Sequence, residues 1–352
     1  MSLVLRAVGD LAALGFDDII DVRSPSEFAE DHLPGAINLP VLDDAERARV
    51  GTIYKQVSPF DARKIGAALV AGNAARHLTG PLADRPGGWR PLIYCWRGGQ
   101  RSGSFATILR QVGWRAELIE GGYKSWRRLV VEAVAAPVAA PIVVLDGNTG
   151  SAKTEILQHC ALAGHQVIDL EGLANHRGSL FGARDGGQPG QKAFEGRLAL
   201  ALAALDPARP VLVEAESSRI GAISVPRGLW KAMCAAPRLH LALPVEERAR
   251  YLVRAYGDLA ADIGRLETTI LRLRPMHAAQ VIGRWIGLAH AGEVTQLAQE
   301  LMQQHYDPRY EKHRARHDDG AGLRVVADSL AADALPELAA RVAAAAGRLV
   351  RP

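Results

Sequence analysis

The stretch Pro91-Leu92-Ile93-Tyr94-Cys95-Trp96-Arg97-Gly98-Gly99-Gln100-Arg101-Ser102 joins an apolar run of strand length to a glycine turn and then to a helical pattern. Cys95 therefore stands at a helix N-terminus, among backbone N–H groups and beside two arginines, all of which favour thiolate over thiol. Gly98 and Gly99 let successive amides turn inward, so that with Arg97, Arg101 and Ser102 they form a cradle for an anion bonded to the sulfur. On these residues alone that anion is a persulfide, a perselenide or a phosphoryl group, and Cys95 is the catalytic candidate. A buried cysteine before an ordinary glycine turn is the plain alternative, and the arginines and the helix start weigh against it.

Outward from this loop, short β-like runs at 18–22, 36–39, 91–95 and 117–119 alternate with helical patterns from Pro25, Asp61, Arg101 and Tyr123. That alternation predicts a parallel sheet covered by helices. Residues 131–140 are rich in Ala, Val and Pro, carry one charge, Glu132, and read as a linker. A second α/β region then opens with an apolar run at 142–146 and continues through strands at 166–169, 211–214 and 239–243. The pattern is helical from 245 to about 305, and an Ala-rich helix ends the chain from 335. The expected organisation is a first domain at 1–130, a linker at 131–140, a phosphate-binding α/β domain at 141–244 and a mainly helical C-terminal region at 245–352.

The chain's 352 residues suit two domains, each able to bury its own core. No apolar run approaches the roughly 18 residues that would read as a membrane span. Residues 1–10 lack the basic-then-apolar pattern of a secretory signal, so the cytoplasm is the expected compartment. Three widely spaced cysteines, Cys95, Cys160 and Cys234, form no CxxC pair and indicate neither a disulfide framework nor a zinc site; no bound metal is expected from them. Formal net charge is +4, from 42 Lys and Arg against 38 Asp and Glu. Between Arg227 and Arg284, ten Lys and Arg face five Asp and Glu, and a second basic, histidine-rich cluster runs from His305 to His317. Either can face a phosphate backbone or form a solvated helix surface.

The second chemical constellation is Gly147-Asn148-Thr149-Gly150-Ser151-Ala152-Lys153-Thr154, between an apolar strand and a helical stretch. It approximates G-x-x-x-x-G-K-[ST], whose amides and lysine wrap phosphate oxygens at a helix N-terminus. Gly147, Asn148, Thr149, Gly150, Ser151, Lys153 and Thr154 are the phosphate-binding candidates. Ala152 replaces the last glycine, which makes phosphate binding a firmer expectation than ATP hydrolysis. After the next strand, Asp169, Glu171, His176, Arg177 and Ser179 fall at the C-terminal edge of the sheet, where ligands of such folds bind. A third polar segment supplies Glu214, Glu216 and Arg219, with carboxylates to hold Mg²⁺ or order a base. Asp169, His176, Arg177, Ser179, Glu216 and Arg219 are the substrate-binding candidates.

The first 130 residues resemble a rhodanese domain. The resemblance rests on Asp21-Val22-Arg23-Ser24-Pro25-Ser26-Glu27-Phe28, on His32-Leu33-Pro34-Gly35-Ala36-Ile37-Asn38, on the cysteine loop, and on the segment at 118–126 with Gly121-Gly122-Tyr123. Asp21 and Arg23 are positioned to brace the cysteine loop through a buried ion pair. With five residues between Cys95 and Arg101, the loop is one residue longer than the commonest sulfurtransferase rhodanese loop, and it shares its C-x5-R spacing with cysteine-dependent phosphatases. The extra room suits an oxyanion such as selenophosphate, or selenium itself. Tyr94 stands where such phosphatases usually carry histidine.

A rhodanese domain with CWRGGQRS, followed by this phosphate loop and the two polar segments, resembles the tRNA 2-selenouridine synthase family. Gln188-Pro189-Gly190-Gln191-Lys192-Ala193-Phe194-Glu195 and His305-Tyr306-Asp307-Pro308-Arg309-Tyr310 extend the likeness to nearly the whole chain. The resemblance implies a cytoplasmic transferase that attaches a geranyl group from geranyl diphosphate to wobble 2-thiouridine and then replaces the sulfur with selenium from selenophosphate. It implies no tightly bound cofactor, with Mg²⁺ as a candidate ion, and a tRNA carrying wobble 2-thiouridine as partner. A selenophosphate supplier is a further candidate partner, no membrane is involved, and a monomer is the favoured state. The tRNA-binding candidates are Arg227, Lys231, Arg254, Arg272, Arg274 and Arg284, with Trp230 and Trp285 as candidates for contact with a base or prenyl chain. An ATP-dependent sulfurtransferase or kinase with a fused rhodanese module is the alternative enzyme class, and a non-enzymatic binding module is the third reading.

Overall fold

A computed structural model of the chain describes residues 2–314 and 322–350. The end of the basic, histidine-rich cluster, with His317, lies outside the described residues. The chain divides into two compact units, one of residues 1–136 and 190–204, the other of 137–189 and 205–352.

The first unit is built on strands β1 (Ser2–Leu3), β2 (Asp18–Asp21), β3 (Ala36–Asn38), β4 (Pro91–Tyr94) and β5 (Glu117–Ile119), ordered β1-β5-β4-β2-β3 and parallel throughout. Central β4 is buried at every residue, which is why it reads as an unbroken apolar run rather than an alternating one. Its core gathers Ile20, Ile93, Phe105, Leu109 and Trp89 around the sheet. Two of its elements fall outside the expected set. One is the helix Asp44–Gln56, whose N-cap Asp43 and Glu46 form a reciprocal capping box; the other is the two-residue edge strand β1. The helix Gly122–Ala135 runs five residues into the segment read as linker, because Val130 and Val134 continue its buried face.

Helix Gln191–Ala203 also belongs to this unit, although the chain reaches it only after the phosphate loop. It packs along Gly122–Ala135, where Glu195 pairs with Arg127, and Lys192 pairs with Glu30. The stretch expected to lie wholly within the phosphate-binding region thus contributes a helix to the rhodanese-like unit.

The second unit carries β6 (Ile142–Gly147), β7 (Gln166–Ile168), β8 (Val211–Glu214), a short hairpin of β9 (Arg219–Ile220) and β10 (Ile223–Ser224), β11 (Arg238–Ala242) and β12 (Leu323–Val326). The main sheet is parallel, in the order β12-β11-β6-β8-β7. The C-terminal stretch read as mainly helical also supplies β12 and the helix Leu335–Leu349. That helix lays Leu338, Ala339, Val342 and Ala346 against Ile156 and Cys160 of the phosphate-loop helix Lys153–Leu162. Small side chains let the two helices approach closely, and Cys160 Sγ reaches the Ala339 carbonyl at 3.5 Å. A separate helical cluster centres on Trp285, Ile270, Leu273 and Ile282. Among the described residues no helix is long and apolar enough to cross a membrane.

Candidate functional site

Each unit carries one of the two candidate loops at the C-terminal end of its central strand. In the first, β4 delivers Cys95 into the turn ahead of helix Gln100–Val112. Burial works against the thiolate, but the Ser102 hydroxyl at 3.2 Å from Sγ, the N–H groups of Ser102 and Arg97, and the charge of Arg101 outweigh it. The net effect brings Cys95 below the ordinary thiol value. Gly98 has φ +66° and Gly122 φ +59°. A β-carbon on Gly122 would collide with the Cys95 carbonyl oxygen and lie 2.6 Å from the Gly98 nitrogen. Only glycines let the two turns interlock this tightly.

Arg101 is anchored rather than free, since its guanidinium donates to Glu27 at 2.6 and 3.3 Å. It acts on the thiol as a fixed charge, whereas Arg97 is exposed. The braced pair expected beside the loop is present: Arg23 and Asp21 are both buried, 2.6 Å apart, and Arg23 also donates to the Asp31 carbonyl at 2.6 Å.

In the second unit β6 runs into the phosphate loop, and Lys153 opens the following helix. Gly150 has φ +84°, and a β-carbon there would lie 2.7 Å from the Arg248 carbonyl. Ala152 adopts φ +56° and is buried, so the alanine in place of glycine keeps the left-handed turn at an energetic cost instead of abandoning it. Lys153 Nζ donates to the Gly147 carbonyl at 2.8 Å and lies 5.7 Å from the centroid of the Tyr310 ring. Burial opposes its charge, and Tyr310, Glu171, Glu216 and Asp146 more than offset that, holding the amine protonated.

Thr149, Gly150, Ser151, Lys153 and Thr154 line a polar cavity of about 420 Å³ together with Glu171, Arg177, Ser179 and Glu216. Tyr251, Tyr256 and Arg184 also line it and had no motif to announce them, whereas Tyr310 comes from the motif at 305–310. Thr154 donates to Glu171 at 2.7 Å. Burial and the neighbouring Glu171 push Glu216 up to about 8. Arg177 is held by Asp258 at 2.9 Å and lies over the Tyr256 ring.

A narrow apolar cleft of about 80 Å³ adjoins this cavity. Phe181, Leu259, Leu266, Leu297 and Met302 line it, and Thr149, Ser179, Leu252 and Tyr256 belong to both walls. The cleft's far side follows a π-helical turn, Met302–Tyr306, a feature that often marks functional positions. That turn aims Tyr306 into the cleft and, one helical turn on, Tyr310 into the polar cavity.

Other expected residues lie elsewhere. Gly147 and Asn148 are outside the cavity lining; Gly147 serves it through the carbonyl that holds Lys153. Asp169 caps the short helix Leu170–Leu173, accepting the Gly172 N–H at 2.7 Å. His176 is buried in a bridge to Ala183, and burial lowers its pKa. Arg219 is exposed on the hairpin. Glu214 is fully buried and accepts the Glu171 N–H at 2.6 Å, so it supports the cavity without entering it. Among the described residues no group of three or more His, Cys, Asp or Glu is arranged to hold a metal ion.

Of the cationic candidates, Arg227, Lys231, Arg272 and Arg274 are exposed. Arg254 pairs with Glu155 and Arg284 with Glu300, so those two charges are partly compensated. Trp285 is fully buried against His277 and belongs to the core, while Trp230 is only half-buried.

With this geometry in hand, the likeness to known proteins is specific. Residues 140–267 match the family described as the tRNA 2-selenouridine synthase AAA domain, and residues 6–129 match the rhodanese-like domain. A tRNA 2-selenouridine synthase of Alcanivorax borkumensis is 36% identical over 327 residues, spanning 83% of this chain and 88% of the relative. Those of Aeromonas salmonicida and Nitrosomonas europaea are 39% and 40% identical, covering 72% and 76% of this chain and 68% and 71% of their own lengths. The chain belongs to the tRNA 2-selenouridine synthase family.

Proposed function

We propose that this transferase makes 2-selenouridine at the wobble position of tRNA in two linked steps, one at each anion site. In the first, the sulfur of 2-thiouridine attacks the prenyl carbon of geranyl diphosphate. The C–O bond breaks, an S–C bond forms, diphosphate leaves and the base loses its N3 proton. In the second, the selenium of selenophosphate adds at C2 and the C–S bond breaks, so that the geranylated sulfur departs as a thiolate that takes up a proton; water then cleaves the Se–P bond, phosphate leaves and the base keeps selenium at C2. S-alkylation turns a poor leaving group into a workable one.

The observation that carries the first step is the wall shared by the polar cavity and the apolar cleft at Thr149, Ser179, Leu252 and Tyr256. A prenyl diphosphate has those two ends. Lys153, the loop amides and Arg177 take the departing charge in a preorganised site, and Leu297, Leu259 and Phe181 take the chain. Tyr256 spans the junction. The oxygen donors available to a magnesium ion beside the diphosphate are the Thr154 hydroxyl and the Glu171 carboxylate, a hard set that suits this ion.

For the second step, the lowered Cys95 thiol and its amide cradle hold the selenium donor as an anion. The RNA would follow exposed cations such as Arg227, Lys231, Arg272 and Arg274. The protein would act as a cytoplasmic monomer supplied by a selenophosphate-producing enzyme. The test is mass spectrometry of wobble nucleosides from cells lacking the protein and restored with variants. Cys95→Ala should lose selenouridine but keep the geranylated nucleoside, and Lys153→Ala should lose both. Full selenouridine with either variant overturns the assignment.

A further inference from the structure

A third cavity lies in the first unit, used by neither anion site. It measures about 350 Å³ and is walled almost wholly by carbon: the rings of Trp96 and Tyr123, Val131, and the stems of Lys124, Arg127 and Arg128, with Glu132 as the one acidic residue at its edge. Trp96 directly follows the reactive cysteine and is only half-buried. Its ring stacks on Tyr123, with centroids 5.3 Å apart and planes at 30°. The Arg23 guanidinium lies 4.1 Å from the Tyr123 ring centroid, and Asp21 locks that guanidinium. The three groups form a supported column, and Tyr123 is fixed further by donating to Asp31 at 2.6 Å.

The column is tied to the thiol through backbone. The Tyr123 N–H donates to the Cys95 carbonyl at 2.8 Å, and the Lys124 N–H donates to the Trp96 carbonyl at 3.0 Å. The aromatic wall therefore keeps a constant position relative to Cys95. The rim is cationic on balance, with Lys124, Arg127 and Arg128 against Glu132. Lys124 is exposed and has no ion pair among the described residues, Arg128 makes only a long contact of 3.9 Å to Glu132, and Arg97 is exposed nearby in sequence. A flat apolar slot with a supported aromatic wall and a cationic rim matches an unstacked nucleobase and its phosphate, because every base offers a π-face and every nucleotide a negative charge.

We propose that this slot receives an unpaired nucleotide of the RNA substrate, its base stacked on Trp96 and its phosphate at Lys124 and Arg128, which sets the neighbouring wobble base before Cys95. The inference rests on the reading of the protein as a tRNA-modifying enzyme. It assigns Trp96 a positioning role.

The test is equilibrium binding of an anticodon stem-loop RNA with wobble 2-thiouridine to the full chain. Trp96→Ala should weaken binding about 5- to 140-fold, the worth of one base–aromatic stack, while Trp96→Phe should recover most of it. Lys124→Ala should lower the slope of log K against log salt by about one. The iodoacetamide rate at Cys95 reports whether the loop stays intact in each variant. Val131→Trp fills the slot from its exposed side without touching the loop, and should reproduce the loss if Trp96→Ala disturbs the thiol. Native affinity in both Trp96→Ala and Val131→Trp overturns the slot, as does a defect confined to delivery of selenium by a supplier protein, which would make the surface a protein dock. Failure of the native chain to bind the stem-loop or form selenouridine sinks the functional reading instead.

Discussion

Arg248 grips Asp307 through two hydrogen bonds of 2.9 and 2.7 Å, and the same guanidinium donates to the Thr149 carbonyl at 3.1 Å. One buried arginine thereby ties the phosphate loop to the residue that follows the π-helical turn. The sequence motif at 305–310 and the motif at 147–154, far apart in the chain, are parts of one site because of this pair.

Arg248→Ala should therefore act on stability and on ligand together. It strands Asp307 and frees the loop carbonyl, and breaking a largely buried pair costs about 3 kcal/mol or more. Denaturant unfolding should show a lower midpoint, and diphosphate affinity should fall. Arg248→Lys should recover only part, because an ammonium cannot make the fork. An unchanged midpoint in Arg248→Ala would show that the pair contributes nothing.

The state of Cys95 can be read from its alkylation rate against pH. Thiolate is the reactive form, so a lowered pKa keeps the rate high at a pH where an ordinary thiol has become slow. Ser102→Ala removes the hydroxyl 3.2 Å from Sγ and should move the curve to higher pH. Cys160, pushed up to about 11 by burial, should not react alongside it near neutrality. A midpoint for Cys95 at or above the usual thiol value of about 8.5 contradicts this.

Ala152→Gly should stabilise the protein. The left-handed conformation costs an alanine about 1–2 kcal/mol, while the greater freedom of glycine in the unfolded chain returns about 0.4–1 kcal/mol of that. The expected net gain is up to about 1.6 kcal/mol, seen as a higher denaturation midpoint with the phosphate loop still able to bind diphosphate. Destabilisation would mean that the methyl group's packing against the core outweighs the backbone strain.

The cleft and the cavity can be separated with one substitution. Ala298 lines the apolar cleft and does not line the polar cavity. Ala298→Trp should block the chain end of a prenyl diphosphate, weakening geranyl diphosphate tenfold or more while inorganic pyrophosphate binds as before. Calorimetric titration with the two ligands checks this, and equal weakening of both removes the cleft from the site.

Much of the architecture was legible in the chain itself. Buried parallel strands such as β4, β6 and β8 are continuous apolar runs, and the glycine-rich turns after β4 and β6 mark the two candidate loops because their geometry is local. Cys95 with Ser102, and Lys153 with Thr154, need only a strand, a turn and a helix start to be recognised. The Arg23–Asp21 brace was legible for the same reason, lying two residues apart at a strand end.

What the linear pattern left undetermined depends on residues that meet only after folding. Asp169, a substrate-binding candidate, is consumed as a helix cap, and Trp285, a candidate for contact with a base or prenyl chain, fills a core. Arg248 and Tyr256 carry no signature, and the motif that holds Tyr310 says nothing of its place, because their roles come from packing against a phosphate loop up to about 160 residues away in sequence. Local sequence determined two strand–turn–helix cradles through backbone geometry and short-range charge. Tertiary packing alone decided that one of them opens onto an apolar cleft, since a pocket's wall is assembled from side chains whose spacing along the chain says nothing of their distance in space.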